Sequence, residues 1–458
     1  MKHIFDAVVV GAGQAGPSLA TRLAKAGKKV AFVERDLFGG TCVNTGCTPT
    51  KAMVASAHAA HLARRGKDFG VNAGPVRVDM KAVKARKDAI VLASRTGVEK
   101  SLRSLENCTV FMGSARFESA TTLSVGDHLI EASKVFLNVG ARPTVPKLRG
   151  VESVKYLTST TILDLEELPR HLIVVGGGYV GLEFAQMLRR FGSDVTVVDM
   201  NARLATHADE DASKIIGEIF DAEGIQVRLN AKCIHLEQRG EDVSVGMECN
   251  EGEPHIVGSH VLLAVGREPN TDDLNLSAAG VATDKAGFIE VDDELRTSTP
   301  SIYAVGDCNG RGAFTHTSYN DYEIVAENLL DGASRRVSDR IVAHALYIDP
   351  PLAHVGMTEA EVRRSGKPAL IGMRPMSRVS RAIEKGETYG YIKVLVDAET
   401  QLILGATVFG TGGDEAVHCI LTAMYARQPA SLLTHSVHIH PTVAELIPTT
   451  LESLKPLE

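Results

Sequence analysis

The chain has 458 residues, 44% of them hydrophobic and 23% charged, with 42 glycines and a formal net charge of -7. That length exceeds what one hydrophobic core usually serves, so two to four domains are expected. Acids and bases are mixed without a basic stripe, which argues against a nucleic-acid binder, and no apolar run approaches the roughly twenty residues of a membrane span. Met1 to Asp6 leads straight into an apolar strand with no signal-peptide core, so a cytoplasmic enzyme without membrane contact is the expectation.

In chain order, an apolar strand from Ala7 to Val10 runs into Gly11, Gly13 and Gly16, with Gln14 and Ala15 inside the same turn. A helical pattern follows from Pro17 to Ala26, then a second strand from Lys29 to Val33, closed by Glu34. This is the Gly-x-Gly-x-x-Gly device: a tight turn, close approach of backbone to a pyrophosphate, close helix–strand packing, and a carboxylate for a ribose hydroxyl. Residues 52–105, rich in Ala, Lys and Arg, read as helical. Val135 to Gly140 reads as an apolar strand ending in glycine. The first device then recurs about 165 residues on. Leu172 to Val175 leads into Gly176, Gly178 and Gly181, with Tyr179 and Val180 in the turn, a helix from Leu182 to Phe191, a strand from Asp194 to Val198, and the acid Asp199. Val261 to Gly266 repeats the strand ending in glycine, and Thr299 to Asp307 is another buried strand, ending at Gly306-Asp307. From about residue 337 strands and helices alternate without a glycine fingerprint, as in a separate α+β domain.

Two such devices on one chain imply electron transfer between two bound nucleotides, and hydride transfer from nicotinamide to a flavin is the natural chemistry. Asp199 favours NAD(H) over NADP(H), because a carboxylate repels a 2′-phosphate, although Arg203 lies nearby.

The seven cysteines, at 42, 47, 108, 233, 249, 308 and 419, are odd in number and scattered, unlike a secreted disulfide framework. The exception is Gly39-Gly-Thr-Cys42-Val-Asn-Thr-Gly-Cys47-Thr-Pro-Thr-Lys51. Five residues of regular helix rise about 7.5 Å, whereas a disulfide needs Cα atoms within about 7 Å. If the pair bonds, an irregular turn at Gly46 must feed a helix starting near Cys47, whose thiolate the helix dipole would stabilise. Zinc binding and inert cysteines are the competing readings; zinc would want two further ligands, and none has ligand spacing, so no metal site is expected.

This segment resembles the active-site disulfide of the class I pyridine nucleotide–disulfide oxidoreductases, which include dihydrolipoamide dehydrogenase, glutathione reductase and mercuric reductase. The likeness covers essentially the whole chain, and the family's order of motifs is kept. It implies an α/β fold with two Rossmann-like dinucleotide-binding domains, for FAD and NAD, and a C-terminal α+β dimerisation domain. The limits read as 1–148 (FAD domain with the disulfide), 149–267 (NAD domain), 268–336 (return to the FAD region) and 337–458 (dimerisation). Cys47 then resembles the flavin-proximal thiol and Cys42 the interchange thiol that meets substrate. Lys51 and Glu183 resemble the ion pair beside the flavin, and Tyr179 the gate over it. Thr41, Ala115, Gly140, Asp307 and Thr315 fall where the family contacts FAD, and Gly266 where it contacts the nicotinamide nucleotide. In His438-Ile-His440-Pro-Thr-Val-Ala-Glu445, His440 and Glu445 match an acid–base dyad that in the family reaches the disulfide of the other subunit, which implies an obligate homodimer.

Within the family, glutathione reductases carry arginine where this chain has Thr21 and Glu323, and mercuric reductases carry a C-terminal cysteine pair where it ends Leu454-Lys-Pro-Leu-Glu458. Dihydrolipoamide dehydrogenases share His-x-His-Pro and the acid at Asp199, but Thr45, Thr48, Asn138 and Phe314-Thr-His-Thr-Ser-Tyr depart from them. The last stretch resembles a bacterial branch linked to reactive-chlorine and metal stress. The expected activity is NAD(P)H-driven reduction, through FAD and Cys42–Cys47, of a small disulfide, thiol-linked or metal-ion substrate. Dihydrolipoyl dehydrogenase, mercuric or copper ion reductase, and a catalytically silent flavoprotein partner remain as alternatives.

Overall fold

The computed structural model describes residues 1–248 and 254–458, so Cys249 lies outside the described residues. The chain begins with β1 (Lys2–Val10), α1 (Ala15–Lys25), β2 (Val30–Glu34), α2 (Gly40–Asn44), α3 (Cys47–Arg64), α4 (Met80–Arg103), β3 (Cys108–Met112), β4 (Ala115–Ser119), β5 (Thr122–Val125) and β6 (His128–Leu137). Parallel β3, β2, β1 and β6 form the centre of a sheet that antiparallel β5 and β4 extend. Val8 and Val9 are both fully buried, and all of β2 is buried, because a parallel sheet is covered on both faces and its strands read as continuous apolar runs.

The helical reading of residues 52–105 holds for α3 and α4 but not for residues 70–79 between them. Gly70 and Gly74 adopt left-handed backbone, Pro75 follows, and α4 restarts behind Asp79, whose carboxylate accepts the Ala82 amide at 3.1 Å. Such a cap contributes about 1 kcal/mol. Composition alone does not reveal a break set by two glycines and a cap.

Next come β7 (Ala141–Pro143), β8 (Tyr156–Leu157), β9 (His171–Val175), α5 (Tyr179–Phe191), β10 (Asp194–Val198), α6 (Glu210–Ala222), β11 (Gln226–Arg228), β12 (Lys232–Arg239), β13 (Asp242–Glu248), β14 (His255–Gly258), β15 (His260–Leu263) and β16 (Arg267–Pro269). A second parallel sheet runs β11-β10-β9-β15-β8, with β12-β13-β14 as a separate antiparallel meander. The two Arg-x-Pro or Arg-Pro segments that follow the glycine-ended strands pair with each other: β7 and β16 form a two-stranded ribbon. The chain then returns to the first sheet, where β17 (Ile302–Ala304) lies parallel to β6, and α7 (Thr315–Leu330) follows.

The C-terminal part comprises β18 (Ala343–Leu346), β19 (Leu352–Gly356), α8 (Glu359–Ser365), β20 (Ala369–Pro375), α9 (Ser380–Glu384), β21 (Tyr391–Asp397), β22 (Ile403–Phe409), α10 (Gly413–Tyr425), α11 (Ser431–Thr434), α12 (Leu446–Glu452) and β23 (Lys455–Pro456). Its antiparallel sheet runs β18-β19-β22-β21-β20-β23. Lys393 of β21, with a side chain 1% exposed, joins this sheet to the start of α6 by ion pairs to Asp209 (2.9 Å) and Asp211 (2.8 Å), and to α8 by one to Glu359 (3.1 Å). A buried ammonium needs such partners, and stripping one side of a buried pair costs roughly 3–5 kcal/mol. Among the described residues no helix is long and apolar enough to cross a membrane.

Candidate active site

The two glycine turns are built on the same steric terms. Gly11 has φ +104°, and a Cβ there would sit 2.3 Å from the Asn138 carbonyl oxygen; Gly176 has φ +117°, with the Ala264 carbonyl 2.4 Å away. Only glycine fits either place. The acids ending the second strands do more than await a ribose. Glu34 accepts the Ala12 amide at 2.7 Å and the Asp36 amide at 2.8 Å. Asp199 accepts the Gly177 amide at 2.5 Å and the Asn201 amide at 2.7 Å. Each carboxylate therefore braces its own glycine turn. Arg203, the residue that weighed toward a 2′-phosphate, is committed elsewhere: its guanidinium donates to the carbonyls of Ala208 (2.6 Å) and Thr206 (2.9 Å) and to Ser213 Oγ (3.0 Å).

A cavity of about 910 Å³ opens beside the first turn. Gly11, Gly13, Gln14, Glu34, Thr41, Cys42, Cys47, Lys51, Ala115, Gly140, Asp307 and Thr315 line it, together with Tyr179, Val180 and Glu183 from the start of α5. Ala15, Gly16 and Gly306 lie outside its lining, and so do Gly176, Gly178, Gly181, Asp199 and Gly266. Helix α5 thus begins in the second glycine turn and carries its first residues into the first cavity.

The cysteine segment folds as two short pieces. Cys42 sits within α2, the helix breaks at Thr45 and Gly46, and Cys47 is the first residue of α3. Both are free thiols, joined by a residue far away in sequence: Thr315 Oγ1 donates to Cys42 Sγ at 3.1 Å and lies 3.4 Å from Cys47 Sγ. Thr315 opens α7, so the positive ends of α3 and α7 converge on the sulfurs. The Cys47 pKa falls to about 6, chiefly through the hydrogen bond from Cys42, then through Thr315 and the charge of Lys51, against burial and Glu183. Cys42, which gives that hydrogen bond and is itself half-buried, is pushed well above the ordinary thiol range. At neutral pH the thiolate therefore resides on Cys47.

Lys51 Nζ pairs with Glu183 Oε2 at 2.7 Å, and the other Glu183 oxygen accepts the Tyr347 amide at 2.9 Å. These contacts span 132 and 164 residues of chain, and neither is visible as a motif. The Tyr179 hydroxyl is buried without a hydrogen-bond partner, and its ring lies 5.6 Å from that of His344. Burial drives the His344 pKa down to about 4, so this imidazole is neutral.

Two lining residues were missed as site residues. Arg267, directly after Gly266, reaches into the cavity, where it donates to the Ala141 carbonyl and, at 3.4 Å, to Thr41 Oγ1. It faces the charges of Asp307 and Cys47. Its signal in the sequence is the Arg267-Glu-Pro269 that directly follows the glycine-ended strand. Asn138, noted only as a departure, ties the end of β6 to the first turn by donating to the Gly11 carbonyl at 3.1 Å. Asp307 is held by burial above the usual carboxylate range, with Arg267 opposing.

His440 and Glu445 do form a dyad: Nδ1 lies 3.0 and 3.1 Å from the two carboxylate oxygens, and the Thr442 amide donates to Glu445 at 3.2 Å. The His440 side chain is 74% exposed, and the dyad is absent from the lining of the cysteine cavity. Thr21 Oγ1 turns back to the Pro17 carbonyl, and Glu323 accepts from Asn320.

The residues fit a flavin dinucleotide. The glycine turn faces the cavity, the cavity holds polar groups at Arg267, Asp307 and the N-terminus of α7, and the orphaned Tyr179 hydroxyl borders it. Among the described residues no cluster of three or more His, Cys, Asp or Glu is placed to hold a metal ion.

Comparison with known proteins agrees with this geometry. The model of the pyridine nucleotide-disulphide oxidoreductases matches residues 5–321, and that of the same family's dimerisation domain matches residues 342–451. A mercuric reductase of Lysinibacillus sphaericus is 32% identical over 96% of this chain and 81% of its own length. The probable pyridine nucleotide-disulfide oxidoreductase RclA of Escherichia coli is 34% identical over 96% of this chain and 97% of its own. A dihydrolipoyl dehydrogenase of Thermus scotoductus is 33% identical over 98% and 97%. Among solved structures, a Cu(II) complex of the HOCl-induced flavoprotein disulfide reductase RclA from E. coli matches with a TM-score of 0.90 at 33% identity, covering 98% of this chain and 99% of that one. The chain belongs to the pyridine nucleotide-disulphide oxidoreductase family and is an FAD-dependent oxidoreductase of the disulfide-reductase type with a C-terminal dimerisation domain.

Proposed function

We propose that this enzyme takes its electrons from NADH and delivers them through Cys47 and Cys42 to a small disulfide or a thiophilic metal ion. The observation that carries the reading is the pair of sulfurs bridged by Thr315, with the thiolate on Cys47. FAD, when bound, would supply the chemistry that links a nicotinamide hydride to two-electron reduction of the Cys42–Cys47 disulfide. Gly11, Gly13, Gly16, Gln14, Ala15 and Glu34 hold its adenosine end. Thr41, Ala115, Gly140, Gly306, Asp307 and Thr315 hold the remainder. Lys51 and Glu183 would fix charge beside it, and Tyr179, which lines the same cavity, would gate the approach of nicotinamide. Gly176, Gly178, Val180, Gly181, Asp199 and Gly266 receive the nicotinamide nucleotide. NAD(H) over NADP(H) is supported by the charge of Asp199 and by the commitment of Arg203 to backbone carbonyls. The domain limits given above, and a cytoplasmic setting, belong to the same proposal.

With a disulfide substrate the balance is simple. The Cys42 thiolate attacks one substrate sulfur, a substrate thiol leaves with a proton, and Cys47 then attacks Cys42. The substrate–Cys42 bond breaks, the second substrate thiol leaves protonated, and the Cys42–Cys47 disulfide re-forms. Cys42 needs a base to start and the leaving thiols need an acid, and a carboxylate-oriented histidine suits both. His440 stands exposed and away from its own chain's cysteines, which supports a homodimer in which the partner subunit's His440 does this work. Thr21 and Glu323 speak against glutathione. The metal ion as acceptor is supported by the similarity to the protein solved as a Cu(II) complex. The test is anaerobic NADH oxidation with lipoamide, glutathione disulfide, Cu(II) and Hg(II). Cysteine-dependent turnover with lipoamide or a metal ion is expected; turnover with glutathione disulfide alone would overturn the reading.

A further inference from the structure

Glu183 does not stand alone on its helix. Glu183, Gln186 and Arg190, three and seven residues apart, share one face of α5, and Lys51 and His58, seven apart, share one face of α3. Between these faces passes the segment Tyr347–Asp349, which links β18 to β19. Gln186 Oε1 accepts the Asp349 amide at 2.7 Å, and its Nε2 donates to the Asp349 carbonyl at 2.8 Å. Arg190 donates to the Asp349 carboxylate and grips Glu223 with two nitrogens, at 2.7 and 3.0 Å. His58 Nδ1 lies 2.7 Å from the same Asp349 carboxylate. The contacts form two rungs. Lys51–Glu183, with the Tyr347 amide, is the one in the cavity; His58–Asp349–Arg190, two turns along both helices, is the other. The second rung joins three parts of the fold, and the chemistry above uses none of it. Arg190 and Asp349 side chains are only 6% and 17% exposed, so this pair cannot exchange its partners for water, and His58, 39% exposed, joins it from the surface, where it exchanges protons with solvent.

We propose that His58, Asp349 and Arg190 are positioning residues that hold the Lys51–Glu183 pair in register at the flavin, and that a proton on His58 tightens this hold. The inference rests on the reading that Lys51 and Glu183 border the flavin. His58 faces Asp349 and, farther off, Glu387 beyond α9 and Arg190 on α5. Glu223 stands behind Arg190, and His61 lies a turn along α3. Asp349 raises the proton affinity of His58 above the ordinary histidine value, burial and Arg190 opposing. The Asp349 carboxyl itself is held far below the usual range, so it stays charged while His58 titrates. A histidine whose pKa is raised by folding contributes stability that is full below its unfolded value of about 6.5 and is lost as pH climbs through the folded value.

The experiment compares the FAD-loaded wild type with His58→Gln and His58→Lys from about pH 5 to 9. Two quantities are read: melting temperature, and the rate of flavin reduction by NADH in stopped flow. In the wild type both should decline through one common inflexion above the ordinary histidine pKa. The rate should fall severalfold across that inflexion. His58→Gln should lack the inflexion and stay slow throughout; His58→Lys, which keeps the charge, should lack it and stay fast. A wild-type inflexion in either variant would overturn the proposal. Should His58→Gln fail to retain FAD, His58→Lys decides by itself. Lys51→Met separates the underlying reading: unchanged flavin reduction there would remove Lys51 from the flavin and the proposal with it, while leaving the His58-dependent melting profile in place.

Discussion

The turns at Gly11 and Gly176 share one construction, yet their middle glycines meet different surroundings. A Cβ on Gly13 would lie 3.1 Å from the Asn138 amide nitrogen, and a Cβ on Gly40 would lie 2.7 Å from the Gly13 Cα, so the disulfide-bearing segment roofs the first turn. Gly39 secures that roof by donating to the Ala12 carbonyl at 2.9 Å. A Cβ on Gly178 would meet nothing within 4 Å, and Val180, Met200 and Val265 around the second turn are exposed. An enclosed turn suits a cofactor that stays; an open one suits a nucleotide that comes and goes. On the proposed assignment of FAD to the first turn and NAD(H) to the second, one local device would serve two exchange regimes, with the segment packed over it setting the difference.

The largest expected effect is at the enclosed turn. Gly13→Val should give a folded but colourless chain, because the side chain has only the roofed cavity to enter; a yellow Gly13→Val protein would break the comparison. Next come the sulfurs that the roof carries. Cys42→Ser and Cys47→Ser should both abolish disulfide reduction, since one sulfur cannot complete the exchange. Cys42→Ser should show, without reductant, the long-wavelength absorbance of a thiolate beside oxidised flavin, and Cys47→Ser should not. With the Cys47 pKa lowered to about 6, this absorbance in the reduced wild-type enzyme should persist at neutral pH and fade as pH falls through about 6.

His440→Ala should leave flavin reduction by NADH intact and slow turnover with disulfide by about 10²–10⁴-fold, the range for losing a general acid–base. Mixed dimers of Cys42→Ser and His440→Ala chains should regain activity, and verified heterodimers without it would refute the cross-subunit arrangement. At the open turn, Gly178→Val should keep the yellow flavin and lower the rate of its reduction by NADH by roughly 10²-fold, as misplacement of a bound reactant does. The smallest effect is expected at the brace of that turn. Wild type should prefer NADH by tenfold or more in kcat/KM, about 1.4 kcal/mol of transition-state binding. Asp199→Asn, which keeps an oxygen for the Gly177 amide but turns its NH2 toward the Asn201 donors, should narrow that preference and lower the melting temperature slightly. An unchanged ratio would reduce Asp199 to a brace alone.

What the sequence by itself determined is whatever neighbouring residues enforce. Glycines whose φ no other residue adopts, apolar runs of β1 and β9 buried on both faces, and a thiol starting a helix behind Gly46 are local necessities, readable at their spacing. Even there, local reading had limits: helix propensity ran through residues 70–79, where Gly70, Gly74 and the Asp79 cap divide α3 from α4. Tertiary structure alone decided how distant segments meet. Thr315 lies between the cysteines 273 and 268 residues after them, the Tyr347 amide meets Glu183 from 164 residues away, and Arg267 fills a place that its own strand does not announce. It also turned Glu34 and Asp199 inward to brace their own turns, and stood His440 outside the cavity of its own chain. These contacts are side-chain geometry across packed elements. No periodicity encodes them, because each depends on where two helices or sheets come to rest against each other.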